Sequence, residues 1–114
     1  MIEFTRGDDI IFSIKVKNYT FKENDKIILR IYNKKALDKS ACICKEKIIT
    51  EECESTTINL THDETKIGKM CNKSIKLWYE VELINDLGIN TIIGYKNGEP
   101  AVMIMNPEGS ENDE

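Results

Sequence analysis

The sequence predicts an all-β domain, built as an antiparallel β-sandwich of seven to eight short strands with one short helical turn. Apolar residues recur with a period of two in several separate stretches, which is typical of half-buried strands. Turn-forming residues such as Gly7, Asn85 and Gly88 stand between these stretches. The 114 residues suit one domain with its own core. A small barrel and an α+β domain are the alternatives.

Strand patterns fill most of the first half of the chain. Gly7 can adopt a positive φ, so Arg6-Gly7-Asp8 is predicted to be a turn between the first two strands. The apolar parity changes between Ile43 and Ile48, which predicts a β-bulge in the fourth. The predicted strands are Ile2 to Thr5, Ile10 to Val16, Ile27 to Tyr32, Ala41 to Thr50 and Thr56 to Thr61.

The second half opens with a helix signal and then returns to strands. Thr61, with Glu64 three residues later, forms a capping-box pattern and predicts the short helical turn. An acidic polar tail at 107–114 is predicted to be disordered, so the domain spans 1–106. The remaining predicted strands are Ser74 to Ile84, Thr91 to Tyr95 and Ala101 to Met105, with hairpin-turn residues at Asn85 to Gly88.

The tripeptide Arg6-Gly7-Asp8 also matches an adhesion signal. An adhesion role requires the tripeptide on a flexible loop of an exported protein. Here it lies between two apolar-patterned stretches, and the strand–turn–strand interpretation explains Phe4 and Gly7 together with the alternation that follows. The turn is therefore favoured, with Asp8 and Asp9 as turn-forming residues rather than binding residues.

Charge and hydropathy argue against two classes of partner. Twenty acidic residues against 16 Lys and Arg give a net charge of −4, which is poorly suited to a phosphate backbone. The longest apolar run, Ala101 to Met105, is far too short to cross a bilayer. No apolar segment of signal-peptide length follows Met1. We therefore expect no nucleic-acid partner, no membrane partner and no signal peptide.

Four cysteines, Cys42, Cys44, Cys53 and Cys71, raise the questions of disulfides and zinc. Without an export signal the thiols are expected to stay reduced. The Cys-x-Cys spacing departs from the paired Cys-x-x-Cys of structural zinc sites. Free thiols are favoured, with zinc and a disulfide as alternatives. No metal site and no cofactor is predicted.

Catalytic signatures are missing from the sequence, so the protein is predicted not to be an enzyme. There is no nucleophile elbow, phosphate-binding loop or dinucleotide fingerprint. The single histidine, His62, is interpreted as part of a solvated helix cap. Trp78 should point away from the core-facing Leu77, and aromatic residues are enriched at interfaces. Trp78 and Tyr32 are therefore the candidate interface residues.

Three motifs, taken in order, resemble one known family. They are Ile2 to Phe12, with the Arg-Gly-Asp turn; Thr61 to Ile67, with an acidic Asp-Glu-Thr-Lys segment; and Leu77 to Leu83, followed by Gly88 and a Thr-x-x-Gly strand. This arrangement is similar to the N-terminal immunoglobulin-like domain of phage baseplate upper proteins, found in tailed phages and prophages of Gram-positive bacteria.

The resemblance implies an immunoglobulin-like sandwich and a structural role in a phage or prophage tail or baseplate. It implies contacts with other tail or baseplate subunits, with a homo-oligomer possible, and a location in the bacterial cytoplasm during assembly and in the virion afterwards. The family offers no catalytic residues. Two alternatives stay open: a host-encoded immunoglobulin-like binding module, such as an adhesin or inhibitor, and a small metal-binding protein that uses the cysteines.

Overall fold

A computed structural model of the protein describes residues 2–33, 43–67, 72–94 and 101–107. The described residues form eight strands and no helix, which confirms the all-β prediction. The strands are β1 (Ile2–Thr5), β2 (Ile10–Lys15), β3 (Lys26–Tyr32), β4 (Ile43–Ile48), β5 (Ser55–Leu60), β6 (Ile75–Asn85), β7 (Gly88–Ile93) and β8 (Ala101–Asn106).

The strands form two sheets. The larger has the order β1-β8-β6-β3-β4, with β7 also paired to β6, and the smaller consists of β2 and β5. One edge of the long strand β6 pairs with β3, and its other edge pairs first with β8 and then with β7. β7 and β8 therefore act as one interrupted strand beside β6. Because β1 pairs in parallel with β8 only, β7 keeps one unpaired edge among the described residues.

The core lies between the two sheets and follows the period-two pattern of the sequence. Inner positions of β6, such as Leu77 and Val81, pack with Ile58 and Leu60 of β5 in one cluster of buried residues. Neighbouring positions on β6 face the opposite side, because successive side chains of a strand alternate between faces. The protein is thus a sandwich-like all-β domain, as the alternation predicts.

The predicted short helix at Thr61 is wrong, although its capping bonds are present. The Thr61 N–H donates to Glu64 Oε1 at 2.9 Å, and the Glu64 N–H donates to Thr61 Oγ1 at 3.4 Å. The Thr65 N–H completes one turn by donating to the Thr61 carbonyl at 3.1 Å. The chain then turns away because Thr65 and Ile67 are buried against other parts of the domain. A capping box formed, but no helix continues from it.

The predicted bulge between Ile43 and Ile48 is also wrong. β4 pairs with β3 in unbroken register from Lys26–Ile48 to Ile31–Ile43. The parity change arises because Ile48 points outward and is 60% exposed. The inner positions between the two isoleucines belong to Lys45 and Lys47, whose ammonium groups reach Glu64 and the Thr57 carbonyl. The first two residues predicted for this strand, 41 and 42, lie outside the described residues.

The carboxylate of Glu64 makes stability depend on pH. The Thr61 N–H and then Lys45, whose Nζ lies 2.9 Å from Oε2, hold the pKa of Glu64 below its ordinary value. A lowered folded-state pKa adds stability above the unfolded-state pKa, and this stability is lost as pH falls through the folded-state value. We expect Glu64→Gln to lower the free energy of unfolding near neutral pH by about 1 kcal/mol or less, since the pair is partly exposed.

Urea unfolding of the wild type and the Glu64→Gln variant at a series of pH values measures this effect. The difference between the two proteins should shrink as pH falls below about 4, where carboxylates become protonated. Glu51→Gln is the control, because Glu51 is exposed, and it should change the free energy by less than about 0.5 kcal/mol. A difference that stays constant with pH would contradict the role given to the Glu64 charge.

Candidate functional site

The Arg-Gly-Asp turn is held against the body of the domain. The Asp8 N–H donates to the Thr5 carbonyl at 3.1 Å, and Gly7 has a φ of 92°, which L-side chains rarely adopt. Arg6 is 9% exposed, and its Nε donates to the Ile67 carbonyl at 3.4 Å. The turn interpretation is confirmed. The buried guanidinium is not displayed as an adhesion ligand requires.

A second turn, at residues 61–67, holds the Arg-Gly-Asp turn in place through hydrogen bonds. The Thr65 hydroxyl accepts a hydrogen bond from the Gly7 N–H at 3.0 Å and donates one to the Asp8 carbonyl at 2.7 Å. The His62 N–H donates to Asp9 Oδ1 at 2.6 Å. The two turns, which are far apart in the sequence, therefore form one structural unit, in which Asp8 and Asp9 shape the Arg-Gly-Asp turn.

The outer face of the larger sheet carries a network of charged and polar groups. Tyr32 donates its hydroxyl proton to Glu80 Oε1 at 2.6 Å. Arg30 bonds to Glu82 and lies 3.4 Å from Glu80 Oε1. Burial and the bond to Glu80 raise the pKa of Tyr32, so this hydroxyl stays protonated as a donor. The bond to Glu82 raises the pKa of Arg30. The groups satisfy one another and hold β3 against β6.

The two predicted interface residues, Tyr32 and Trp78, are cross-strand neighbours on this outer face. Trp78 is half-buried, on the face opposite Leu77 as predicted. Tyr32 is only 3% exposed, and its hydroxyl is used within the chain. The interface role of both residues stays a prediction. The burial of Tyr32 weighs against that residue, whereas Trp78 keeps some accessible surface.

The hairpin turn before β7 and the strand itself expose apolar side chains to solvent. Leu87, in the hairpin turn, is 88% exposed, while Ile89 and Ile93 are 66% and 37% exposed. The hairpin itself is as predicted: Gly88 has a φ of 116° and pairs with Asn85. Ile93 lies opposite the inner residue Val81, after a shift in the β6–β7 register, so it faces the core side of the sheet. We call Leu87 and the outward-facing Ile89 the β7 stripe. It borders the edge of β7 that has no partner strand among the described residues, so exposed apolar side chains and an unpaired strand edge lie side by side.

A groove of about 550 Å³ lies beneath β7, where the end of β2 approaches it. Val16, Leu83 and Ile92 give the groove an apolar lining. Lys15 and Lys17 are the charged residues among those that line it. Both lysines are exposed, and no ion pair involves them within the part of the chain that the structure describes. The groove thus combines an apolar lining with local positive charge in a chain of net charge −4.

One wall of the groove is fixed by hydrogen bonds around Tyr19. Its hydroxyl donates to Asp25 Oδ2 at 2.5 Å and accepts from Asn85 Nδ2 at 3.1 Å. The bond to Asp25 raises the pKa of Tyr19. The Tyr19 ring also meets Phe21 edge to face, with ring centroids 5.7 Å apart. These contacts position the segment after β2 and leave the groove with a defined shape.

Sequence reasoning did not single out β7, although a signal was present. The run Gly88 to Gly94 contains three isoleucines and no charged residue. Natural edge strands are usually protected by charges, prolines or bulges. β7 has no charged residue and no proline, and the device it carries among the described residues is the bulge-like register shift before Ile93. The sequence could not show that it is an edge, because this depends on which strand covers β8.

The described residues contain two thiols but no cluster of metal ligands and no membrane-spanning helix. Cys44 is an exposed free thiol and Cys53 a half-buried one, while the cysteines at 42 and 71 lie outside the described ranges. No group of three or more His, Cys, Asp or Glu side chains in those ranges could hold a metal ion. The described residues also contain no helix long and apolar enough to span a membrane.

Comparisons with protein-family models, with curated proteins and with solved structures found no match to this chain. What the domain does is therefore inferred from its residues and their geometry. The feature that most needs a functional explanation is the combination of the β7 stripe, the unpaired edge beside it and the groove below.

Proposed function

We propose that this domain is a non-enzymatic, immunoglobulin-like structural component of a phage or prophage tail or baseplate that acts through protein–protein contacts. The observation that carries the contact role is the β7 stripe beside an unpaired strand edge. Contiguous exposed apolar surface marks interaction sites in soluble domains. The tail or baseplate setting rests on the resemblance of the three sequence motifs.

The order of strands supports the immunoglobulin-like part of the proposal. In that fold the second and fifth lettered strands, B and E, pair in one sheet, while G, F and C pair in the other, which C′ extends in variable-type domains. Here β2 pairs with β5, and β7 with β8 lies beside β6, then β3, then β4. The chain crosses between the sheets in the same sequence. The parallel β1–β8 pair extends the larger sheet at its other side.

A comparison of two edges supports the contact role of β7. At the edge strand β4, Lys45 and Lys47 occupy inner positions and Glu46 an outer one, where it pairs with Lys26. Charged side chains that point inward at an edge oppose pairing with another chain. β7 has no such residue from Gly88 to Ile93. The β4 edge is thus protected by charge, whereas β7 has only the register shift before Ile93 and is regular and uncharged from Gly88 to Thr91.

Sedimentation of phage particles tests the proposal. The lysate of an induced host strain is fractionated on a density gradient, and the protein is followed by mass spectrometry together with known tail proteins. We expect it to co-sediment with particles in a fixed ratio to the tail proteins, because tail subunits repeat by symmetry. If it stays in the soluble fraction of a lysate that contains intact particles, the tail assignment is wrong, and the host-encoded binding module becomes the better explanation.

A further inference from the structure

We propose that β7 accepts an extended segment of a partner protein as an added strand, with acidic side chains of that segment facing Lys15 and Lys17 and apolar ones lying on the β7 stripe. This inference rests on the proposed contact function and names the class of partner that the site would take. Strand addition to an exposed sheet edge is a general mode of peptide recognition, with backbone hydrogen bonds for affinity and side chains for specificity.

The backbone of β7 is suited to this mode. In an antiparallel ladder alternate residues direct their N–H and C=O groups to opposite edges, so every second residue of β7 offers them away from β6. Gly88 to Thr91 are all exposed, so these groups are open to solvent. The β6–β7 register is regular from Asn85–Gly88 to Glu82–Thr91 and shifts before Val81–Ile93, so the regular part of the edge spans Gly88 to Thr91. An incoming strand would therefore meet a preformed template.

Side chains on the outer face would contribute apolar contacts. Ile89 lies opposite Ile84 in the β6–β7 ladder, and Leu87 is next to it at the hairpin. An added strand would place its outward side chains at the level of Leu87 and Ile89, at the spacing of cross-strand pairs. Apolar residues at these positions would bury exposed surface of the β7 stripe. Polar residues there would leave it in contact with water.

The groove argues for an acidic partner rather than for a second copy of this chain. Inward side chains of the added strand would approach the groove at Lys15 and Lys17, which have no ion-pair partner in the described part of the chain. Glu or Asp at these positions would supply the missing charge. A second β7 would bring an uncharged strand, Gly88–Ile93, and leave the lysines unpaired. Charge complementarity thus selects a heterologous, acidic and apolar segment.

A synthetic peptide of about eight residues, within the usual range of about 3–10 residues for a strand, provides the probe. It alternates Val with Glu, and its control alternates Val with Lys. Hydrogen exchange of the domain with and without peptide locates the contact, and a fluorescence titration gives the affinity. We expect slowed exchange in Gly88–Ile93 with the Val-Glu peptide and at least a tenfold weaker affinity for the Val-Lys peptide.

Matched variants separate the two halves of the site. Ile89→Lys should weaken binding of the Val-Glu peptide at least tenfold, and Lys15→Glu with Lys17→Glu should do the same and reverse the preference between the peptides. Ile11→Lys is the matched control for the first, because Ile11 is 69% exposed on another strand. A single Lys76→Glu change, on the outer face of β6, controls for charge. Neither control should change affinity more than about twofold.

Several outcomes would overturn the inference. The inference is wrong if the two peptides bind with equal affinity, if the Val-Glu peptide slows exchange outside β7 rather than within it, or if the site and control variants lose affinity equally. Slowed exchange of β7 that depends on protein concentration without peptide would assign the edge to a second copy instead.

The particle experiment is independent: if Ile89→Lys still joins particles, the contact function stands and β7 is not its site. If the protein is absent from particles but binds the Val-Glu peptide as expected, the tail assignment alone fails.

Discussion

Replacing Phe21 by alanine is expected to lower the free energy of unfolding by about 3–5 kcal/mol, the usual cost of removing a large aromatic ring from a core. The Phe21 side chain is fully buried, and its ring meets Tyr19 edge to face. Its N–H and carbonyl bond to Cys53 at 2.8 and 3.0 Å, which joins the β2–β3 connection to the segment before β5. The ring therefore fills the junction between the two sheets, beside the wall of the groove.

Thermal and urea unfolding measure this effect. A loss of that size corresponds to a fall in melting temperature on the order of 10–20 °C for a domain of this size. Ile11→Ala is the control, since Ile11 is largely exposed, and it should stay within about 0.5 kcal/mol of the wild type. A Phe21→Ala protein that keeps its m-value and loses less than about 1 kcal/mol would show that the ring is not packed as described.

The strands were predictable because the sequence pattern that specifies each of them lies within a few neighbouring residues. In β6, Leu77, Val81 and Leu83 are buried and the outward residues between them are not, as the alternation requires, while the inward Tyr79 is half-buried. The hairpin at Asn85 to Gly88 was also readable, because a positive φ at its end favours glycine. Most observed strand ends lie within two residues of the predicted ones. These features depend on side-chain alternation and turn chemistry over a few residues.

Pairing between distant segments could not be predicted in the same way. Nothing in the sequence of β1 indicates that it pairs in parallel with β8 near the other end of the chain. The failed predictions have the same cause. Ile48 faces outward because the register of β4 on β3 places it there, and the turn at Thr61 ends early because Thr65 bonds to the Arg-Gly-Asp turn. In both cases contacts between distant segments, rather than the local sequence pattern, determine the observed structure.

The candidate site was less predictable than the fold. The alternation of side chains placed Trp78 and Tyr32 on an outer face. It does not predict how much of each side chain is exposed to solvent. The bond from Tyr32 to Glu80, across the strands, contributes to its burial. Ile89, in contrast, faces outward opposite Ile84 on a strand that has no second partner strand among the described residues, so no neighbouring strand shields it. Exposure at a sheet edge is a property of the whole topology, so a single-strand pattern does not reveal it.

Replacing Thr65 by valine is expected to lower the free energy of unfolding by about 2 kcal/mol. Valine keeps the shape of threonine but cannot bond to the Gly7 N–H or to the Asp8 carbonyl, which are 3.0 and 2.7 Å from the Thr65 hydroxyl. Thr65 is fully buried and both bonds are partly buried, so these backbone groups would lose their partner where water has restricted access. Leaving a buried polar group unpaired costs about 1–3 kcal/mol.

Urea unfolding, combined with hydrogen exchange at Gly7, separates this effect from a general loss of stability. Exchange of the Gly7 N–H should speed up by more than the global loss explains, because the variant removes the acceptor of that group. Thr57→Val is the matched control, since Thr57 is exposed on β5, and it should change stability by less than about 0.5 kcal/mol. An unchanged Gly7 exchange rate in Thr65→Val would mean that the turn at residues 61–67 does not hold the Arg-Gly-Asp turn. The tripeptide would then be free to move, and the case against its display as a ligand would lose its structural basis.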